Sequence, residues 1–201
     1  CSGLGGSAAS AVASVVAANA LLPTPLPKED LIGYCSIGEC LASGSNHLDN
    51  VAPALLGGLI LILENEPFRY VQLPILPDLY CVVWHPNHKI STKDAREVLS
   101  GNVALTTHIE QSASLAGFIS GLYQEDYELL KWSLKDLVVE PQRKRLIPGF
   151  DNAQQCSLQT GALGFGISGA GPTCFSLCKG RDVALEVQST VEKVFKLHYD
   201  Q

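Results

Sequence analysis

The opening residues, Cys1-Ser2-Gly3-Leu4-Gly5-Gly6-Ser7-Ala8-Ala9-Ser10, place three glycines within four positions directly ahead of a run of small side chains. Glycine reaches backbone conformations closed to other residues, so several N–H groups in such a stretch can converge on one point. The run that follows reads as a helix starting near Ser7, whose unsatisfied N–H groups and positive dipole end face the same point. Together they would seat an anion such as a phosphate group. The Ser7 hydroxyl can cap the helix or contribute to binding a divalent cation. No Gly-Lys-Ser/Thr follows, as a P-loop requires, and no upstream strand or downstream ribose-binding acid supports a dinucleotide fold. A serine-capped glycine turn is the plainer alternative, because short glycine motifs recur by chance.

Other chemistry-bearing residues are spread along the chain. A second glycine turn, Gly166-Ile167-Ser168-Gly169-Ala170-Gly171-Pro172-Thr173, lies near the far end. Glu39 falls late in a predicted helix, where a carboxylate opposes the dipole; taken alone it reads as a solvated surface acid. His47, Asp49 and Asn50 belong to a polar stretch, 45–58, that also reads as a connector rich in Asx turns before a short apolar segment. Arg143-Lys144-Arg145 is the one dense basic cluster and suits a small anion, since a guanidinium fork matches a carboxylate.

The elements expected to carry these residues alternate irregularly. Ser7–Leu22 reads as a helix apolar on most sides and therefore buried, ended by Pro23, Pro25 and Pro27. A second helix follows over 28–42, with Leu31, Cys35 and Leu41 as its apolar positions. Strands are expected over 58–64 and 68–73, and the spacing of Pro74 and Pro77 marks a domain boundary. Beyond it come a strand over 79–84, a helix capped by Ser91 or Thr92, and helices over 103–123 and 126–137. Pro141 opens a segment carrying Arg143 and Arg145, and 152–159 reads as helical. Strands near 162–167 and 173–177 flank the second glycine turn. A final helix spans 182–197, with Val183, Leu185, Val187, Val191, Val194 and Phe195 on its apolar side. Without regular βαβ repetition the class is α+β.

Composition sets the outer limits. The 201 residues suffice for one large or two small domains, and 46% hydrophobic content supports a real core. A net charge of −6 gives no broad basic face, so neither nucleic acid nor an anionic membrane is an expected partner. No apolar run approaches the ~20 residues of a membrane span, and the N-terminus lacks signal-peptide character, which together suggest a cytoplasmic protein. The seven cysteines form no Cys-x-x-Cys pair and no zinc spacing, so free buried thiols are expected, with Cys174 and Cys178 on one face of a strand. Because phosphate loops normally lie between a strand and a helix, strands are expected ahead of Cys1, and a closing strand after Gln201.

Taken in order, Gly3-Leu4-Gly5-Gly6-Ser7-Ala8-Ala9-Ser10, His47-x-Asp49-Asn50-Val51-Ala52-Pro53, Ser91-Thr92-Lys93-x-x-Arg96, Glu140-Pro141-x-Arg143 and the second glycine turn resemble the homoserine kinases of the GHMP small-molecule kinase superfamily. The resemblance runs over essentially the whole chain. It implies a GHMP fold: the remainder of an S5-like N-terminal domain over 1–75 and a ferredoxin-like C-terminal domain over 76–201. It further implies ATP and Mg²⁺ as cofactors, with Ser2, Gly3, Leu4, Gly5, Gly6, Ser7 and Ala8 around the phosphates and Ser7 and Glu39 at the metal. By the same resemblance His47, Asp49, Asn50, Arg96, Arg143 and Gly169 bind L-homoserine, the two arginines taking its carboxylate. Lys144 and Arg145 remain solvated charges. Catalysis would rest on Asn50, Glu39 and Ser7: Asn50 stands where the superfamily's acid is expected, and an amide can orient a hydroxyl but cannot take its proton. The family's Ser-Ser is Gly6-Ser7 in this chain, and its N-terminal substrate-contacting strands have no counterpart, so residues 1–201 alone could be inactive. A homodimer is expected, in the cytoplasm, or in the plastid of a plant. The alternatives are a GHMP kinase for another small alcohol and a non-catalytic ligand-binding relative; the retention of both Ser7 and Glu39 argues against the latter.

Overall fold

In the computed structural model, residues 3–44, 47–88 and 90–199 are described, apart from the side chains of Thr92 and Lys93. The chain divides into two compact units: Leu4–Ile75, and Leu76 onward together with Gly3.

The first unit contains helices α1 (Gly6–Ala20), α2 (Ile32–Ser43) and α3 (Leu48–Leu56), then strands β1 (Leu59–Asn65) and β2 (Phe68–Leu73), paired as an antiparallel hairpin. Its core joins Ala8 and Val12 of α1 to Leu31, Ile32 and Cys35 around α2 and to Leu48, Val51, Ala52 and Leu55 of α3. Two expectations are corrected. Helix α1 is largely exposed, because its small side chains give it only a narrow contact stripe of which Ala8 and Val12 are the buried members. Leu41, expected among the apolar positions of α2, is 84% exposed, while Glu39 on the same helix is buried.

Helix α3 replaces the expected connector. Leu48, Val51, Ala52 and Leu55 follow the i, i+3, i+4, i+7 spacing and are all buried. Pro53 lies inside the helix, where it costs one backbone hydrogen bond. Burial of that apolar stripe outweighs both Pro53 and the turn-forming Asp49 and Asn50.

The second unit is built on a three-stranded antiparallel sheet of β3 (Leu79–Trp84), β4 (Gly164–Ile167) and β5 (Cys174–Lys179), ordered β3-β5-β4. The crossover between β3 and β4 holds α4 (Thr92–Glu97), α5 (Leu105–Gln124), α6 (Tyr127–Ser133), α7 (Glu140–Arg143) and α8 (Phe150–Gln159), and α9 (Arg181–Tyr199) follows β5. One sheet face, carrying Trp84, Phe165, Cys174 and Cys178, packs on Phe150 and Ala153 of α8 and on Val187, Val191 and Phe195 of α9. Leu185 departs from the expected α9 face and is exposed, because the buried stripe runs through Ala184, Val187 and Val191. The thiols of Cys35, Cys174 and Cys178 are buried as expected, whereas Cys40 and Cys81 are exposed. Phe150 is 2% exposed and packs edge-on against Phe165. Phe150→Ala is therefore expected to cost about 3–5 kcal/mol, read as a lowered denaturation midpoint.

Local capping fixes where the crossover helices begin. Ser91 caps α4 through the Asp94 N–H, and Asp126 caps α6 by accepting from the Glu128 and Leu129 N–H groups. Helix α6 ends at Ser133, short of the expected 137, because Asp136 takes the N–H groups of Val138, Val139 and Glu140 and organises the entrance to α7.

Candidate active site

Within the first unit, Gly5 is the N-cap of α1, in the left-handed conformation at φ 64°. The Ala9 N–H donates to the Gly5 carbonyl at 2.9 Å, which leaves Gly6, Ser7 and Ala8 as the helix-start N–H groups with no carbonyl one turn earlier in the helix. The first turn of α1 has no acidic residue. An incoming anion would thus meet donors and the positive end of the dipole with no carboxylate from the turn itself. Leu4 is exposed, while Ala8 is buried in the core and offers only its backbone. Ser2 lies outside the described residues.

Ser7 does not cap the helix. It lies inside α1, and its hydroxyl donates to Glu39 Oε1 at 3.1 Å. Glu39 is 1% exposed, which overturns its reading as a surface acid. His47, the residue preceding α3, brings Nδ1 to 3.0 Å from the same Oε1. Ser43, one turn beyond Glu39 on α2, donates to the Glu39 backbone carbonyl at 3.0 Å and lies 3.1 Å from His47 Nδ1. Burial pushes the Glu39 carboxyl up, but the hydrogen bonds from His47, Ser7 and Ser43 outweigh it and hold it below the ordinary carboxylate value. An ionised carboxylate only accepts, so the proton in the His47 contact is on Nδ1. Glu39 Oε2 is buried and has no hydrogen-bond partner among the described residues. A hard, buried, unpaired carboxylate oxygen beside a hydroxyl suits a cation such as Mg²⁺, which takes few protein ligands. No cluster of three or more His, Cys, Asp or Glu that could hold a metal occurs among the described residues.

Asn50 closes this group. A Cβ placed on Gly5 would lie 3.0 Å from Asn50 Oδ1, so close approach to Asn50 and a positive φ both favour glycine there. The expected residues Gly5, Ser7, Glu39, His47 and Asn50 are thereby brought together, while Asp49 is exposed on the first turn of α3.

The second unit assembles the rest. Arg143, at the end of α7, donates from Nε to the Ala95 carbonyl at 2.9 Å and from Nη1 to the Gly169 carbonyl at 3.0 Å. Arg96, next to Ala95, is exposed on α4, so Arg96, Arg143 and Gly169 fall in one neighbourhood. Lys144 pairs at the surface with Asp151. Ser168, a residue without an assigned role in the sequence reading, donates its hydroxyl to the Gly3 carbonyl at 2.7 Å. Gly3 has φ 77°, and a Cβ there would collide with the Ser168 carbonyl oxygen. Gly3→Ala is expected to push residue 3 off this turn at a cost of about 1–3 kcal/mol, read as a lowered denaturation midpoint.

Two family models match the sequence: GHMP kinases N terminal domain over residues 1–58 and GHMP kinases C terminal over residues 118–197. Together they span more than half of the chain, which belongs to the GHMP kinase family and has its α+β fold. Among the relatives it resembles, a homoserine kinase of Chloroherpeton thalassium is 40% identical over 203 residues, covering 99% of this chain and 64% of the relative. A homoserine kinase of Xylella fastidiosa strain M12 is 43% identical, covering 96% of this chain and 59% of the relative. The crystal structure of homoserine kinase from Cytophaga hutchinsonii matches with a TM-score of 0.95 at 42% identity, covering 98% of this chain and 62% of that one. The chain thus spans about three-fifths of the length of these relatives. No helix among the described residues is long and apolar enough to cross a membrane.

Proposed function

We propose that the protein transfers the γ-phosphoryl group of ATP to the hydroxyl of L-homoserine, giving O-phospho-L-homoserine, a step towards threonine. The observation that carries this reading is the buried Glu39 carboxylate, held by Ser7 and His47 with Oε2 left unpaired beside an acid-free helix N-terminus. The names of its relatives at about 40% identity favour homoserine over other small alcohols. A sensor would need ligand contacts but no buried carboxylate reserved for a cation.

Each residue has a stated task. The N–H groups of Gly6, Ser7 and Ala8 hold phosphate oxygens. Glu39 Oε2 and the Ser7 hydroxyl would hold Mg²⁺, which when bound would supply charge neutralisation for the transferring phosphoryl group. Arg96 and Arg143 bind the carboxylate of homoserine, and His47 and Asp49 line its pocket. Asn50 orients the attacking hydroxyl and removes no proton, because a loose transition state needs little early deprotonation. If so, His47→Gln followed over pH 6–9 loses substrate affinity without losing an ionisation from kcat; a thousandfold fall in kcat with loss of that ionisation would make His47 the base. The functional form is a homodimer, testable by sedimentation. The reading as a whole is tested by ADP release from the full-length protein offered homoserine or mevalonate: homoserine is expected to stimulate release, and stimulation by mevalonate alone would assign another alcohol.

A further inference from the structure

A cavity of about 260 Å³ lies in the second unit between α5, the end of α6, α7 and strands β4 and β5. Its lining includes neither Arg96, Arg143 nor Gly169. The walls are mostly apolar, with the rings of Phe118, Phe165 and Phe175 among them. Most polar groups on those walls are already engaged. Asp136 accepts three backbone N–H groups, Gln111 Oε1 accepts from the Leu137 N–H, and the Ser114 and Ser133 hydroxyls donate to carbonyls one turn back. Lys135 places its ammonium 4.2 Å from the centre of the Trp132 ring.

Glu140 differs from them. Its Oε1 accepts from Gln154 Nε2 at 2.8 Å, and Oε2, with no comparable contact among the described residues, lies 3.6 Å from where a Cβ on Gly166 of β4 would lie. Burial pushes this carboxyl above its ordinary value, against the opposing hydrogen bond from Gln154. A cation entering the cavity would gain that oxygen as a partner together with aromatic rings, whose faces attract positive charge. A dry cavity of about 150 Å³ already accepts a benzene ring, so this one has room for a ring and a short charged tail.

We propose that the cavity is a binding site for a small organic cation, a primary amine with an apolar or aromatic body, whose ammonium bonds to Glu140 Oε2. It is carried by observations separate from the kinase reading, although Glu140 and Arg143 occupy the two ends of the same single-turn helix.

The test is calorimetric titration of the full-length protein with phenethylamine and with its uncharged counterpart 2-phenylethanol. Phenethylamine is expected to bind at least about tenfold more tightly, the scale of one charge-assisted hydrogen bond, and Glu140→Gln should abolish that preference. Leu115→Trp, at a half-exposed lining position where a larger ring is tolerated, should weaken both probes by filling the space. No binding of phenethylamine, equal affinity for the two probes, a preference that survives Glu140→Gln, or affinities indifferent to Leu115→Trp would each overturn the proposal.

Discussion

Glu39→Gln is expected to lower kcat by roughly 100-fold or more, the several kcal/mol that a metal held at the transferring phosphoryl group supplies. The Mg²⁺ concentration for half-maximal rate should rise with it, because the buried Oε2 loses its charge. Oε1 also holds His47 at 3.0 Å, so the KM for homoserine should rise too, by roughly tenfold, the usual scale for losing a residue that orients a ligand. The same substitution has a signature in stability. A carboxyl held below its ordinary value stabilises the fold at pH above that value, and this contribution is lost as pH falls through the lowered one. Glu39→Gln should therefore be destabilised at neutral pH and lose less further stability on acidification than the parent, measured by thermal melts from pH 7 to pH 3. Full activity with an unchanged metal requirement would reduce Glu39 to a structural carboxylate.

Arg143→Ala is expected to weaken homoserine binding by roughly 2–4 kcal/mol, about 30- to 1,000-fold, with ATP affinity close to unchanged. The guanidinium also donates to the Ala95 and Gly169 carbonyls, so part of any loss could come from loosening α4 against the glycine turn. Arg143→Lys separates the two causes. It retains the positive charge but loses the planar fork, and it should recover only a small part of the affinity. Arg96→Ala, on the neighbouring α4, should reproduce the substrate defect. A fall in ATP affinity instead would assign the arginines to the nucleotide.

The parts of this architecture that follow from local physics were legible in the sequence. The glycine turns declared themselves by composition, and strands β1 to β5 and helices α1, α2, α5, α8 and α9 by period and by proline punctuation. Helix α3 was hidden because Pro53, Asp49 and Asn50 are turn formers, and only the spacing of Leu48, Val51, Ala52 and Leu55 betrays the buried stripe. The burial of Glu39 was not legible from its own helix, since dipole and solvation both argue for the surface there. What surrounds it is Ser7 from α1 and His47 from the start of α3, joined by Ser43 on its own helix. Ser43 had a local signal, four residues beyond Glu39 on one helix face. Ser168 had none beyond its place in the glycine turn, because its partner is Gly3, 165 residues away.

The central claim is that the acid-free start of α1 and the unpaired Glu39 oxygen serve phosphoryl transfer to an amino-acid hydroxyl. It is tested most directly by ³¹P NMR of the full-length protein with ATP, Mg²⁺ and L-homoserine. The expected result is loss of the γ-phosphate signal matched by growth of a phosphomonoester on the homoserine hydroxyl, dependent on Mg²⁺ and nearly absent in Glu39→Gln. ATP consumed only to inorganic phosphate at a rate indifferent to homoserine, or a phosphomonoester formed equally well by Glu39→Gln, would contradict it.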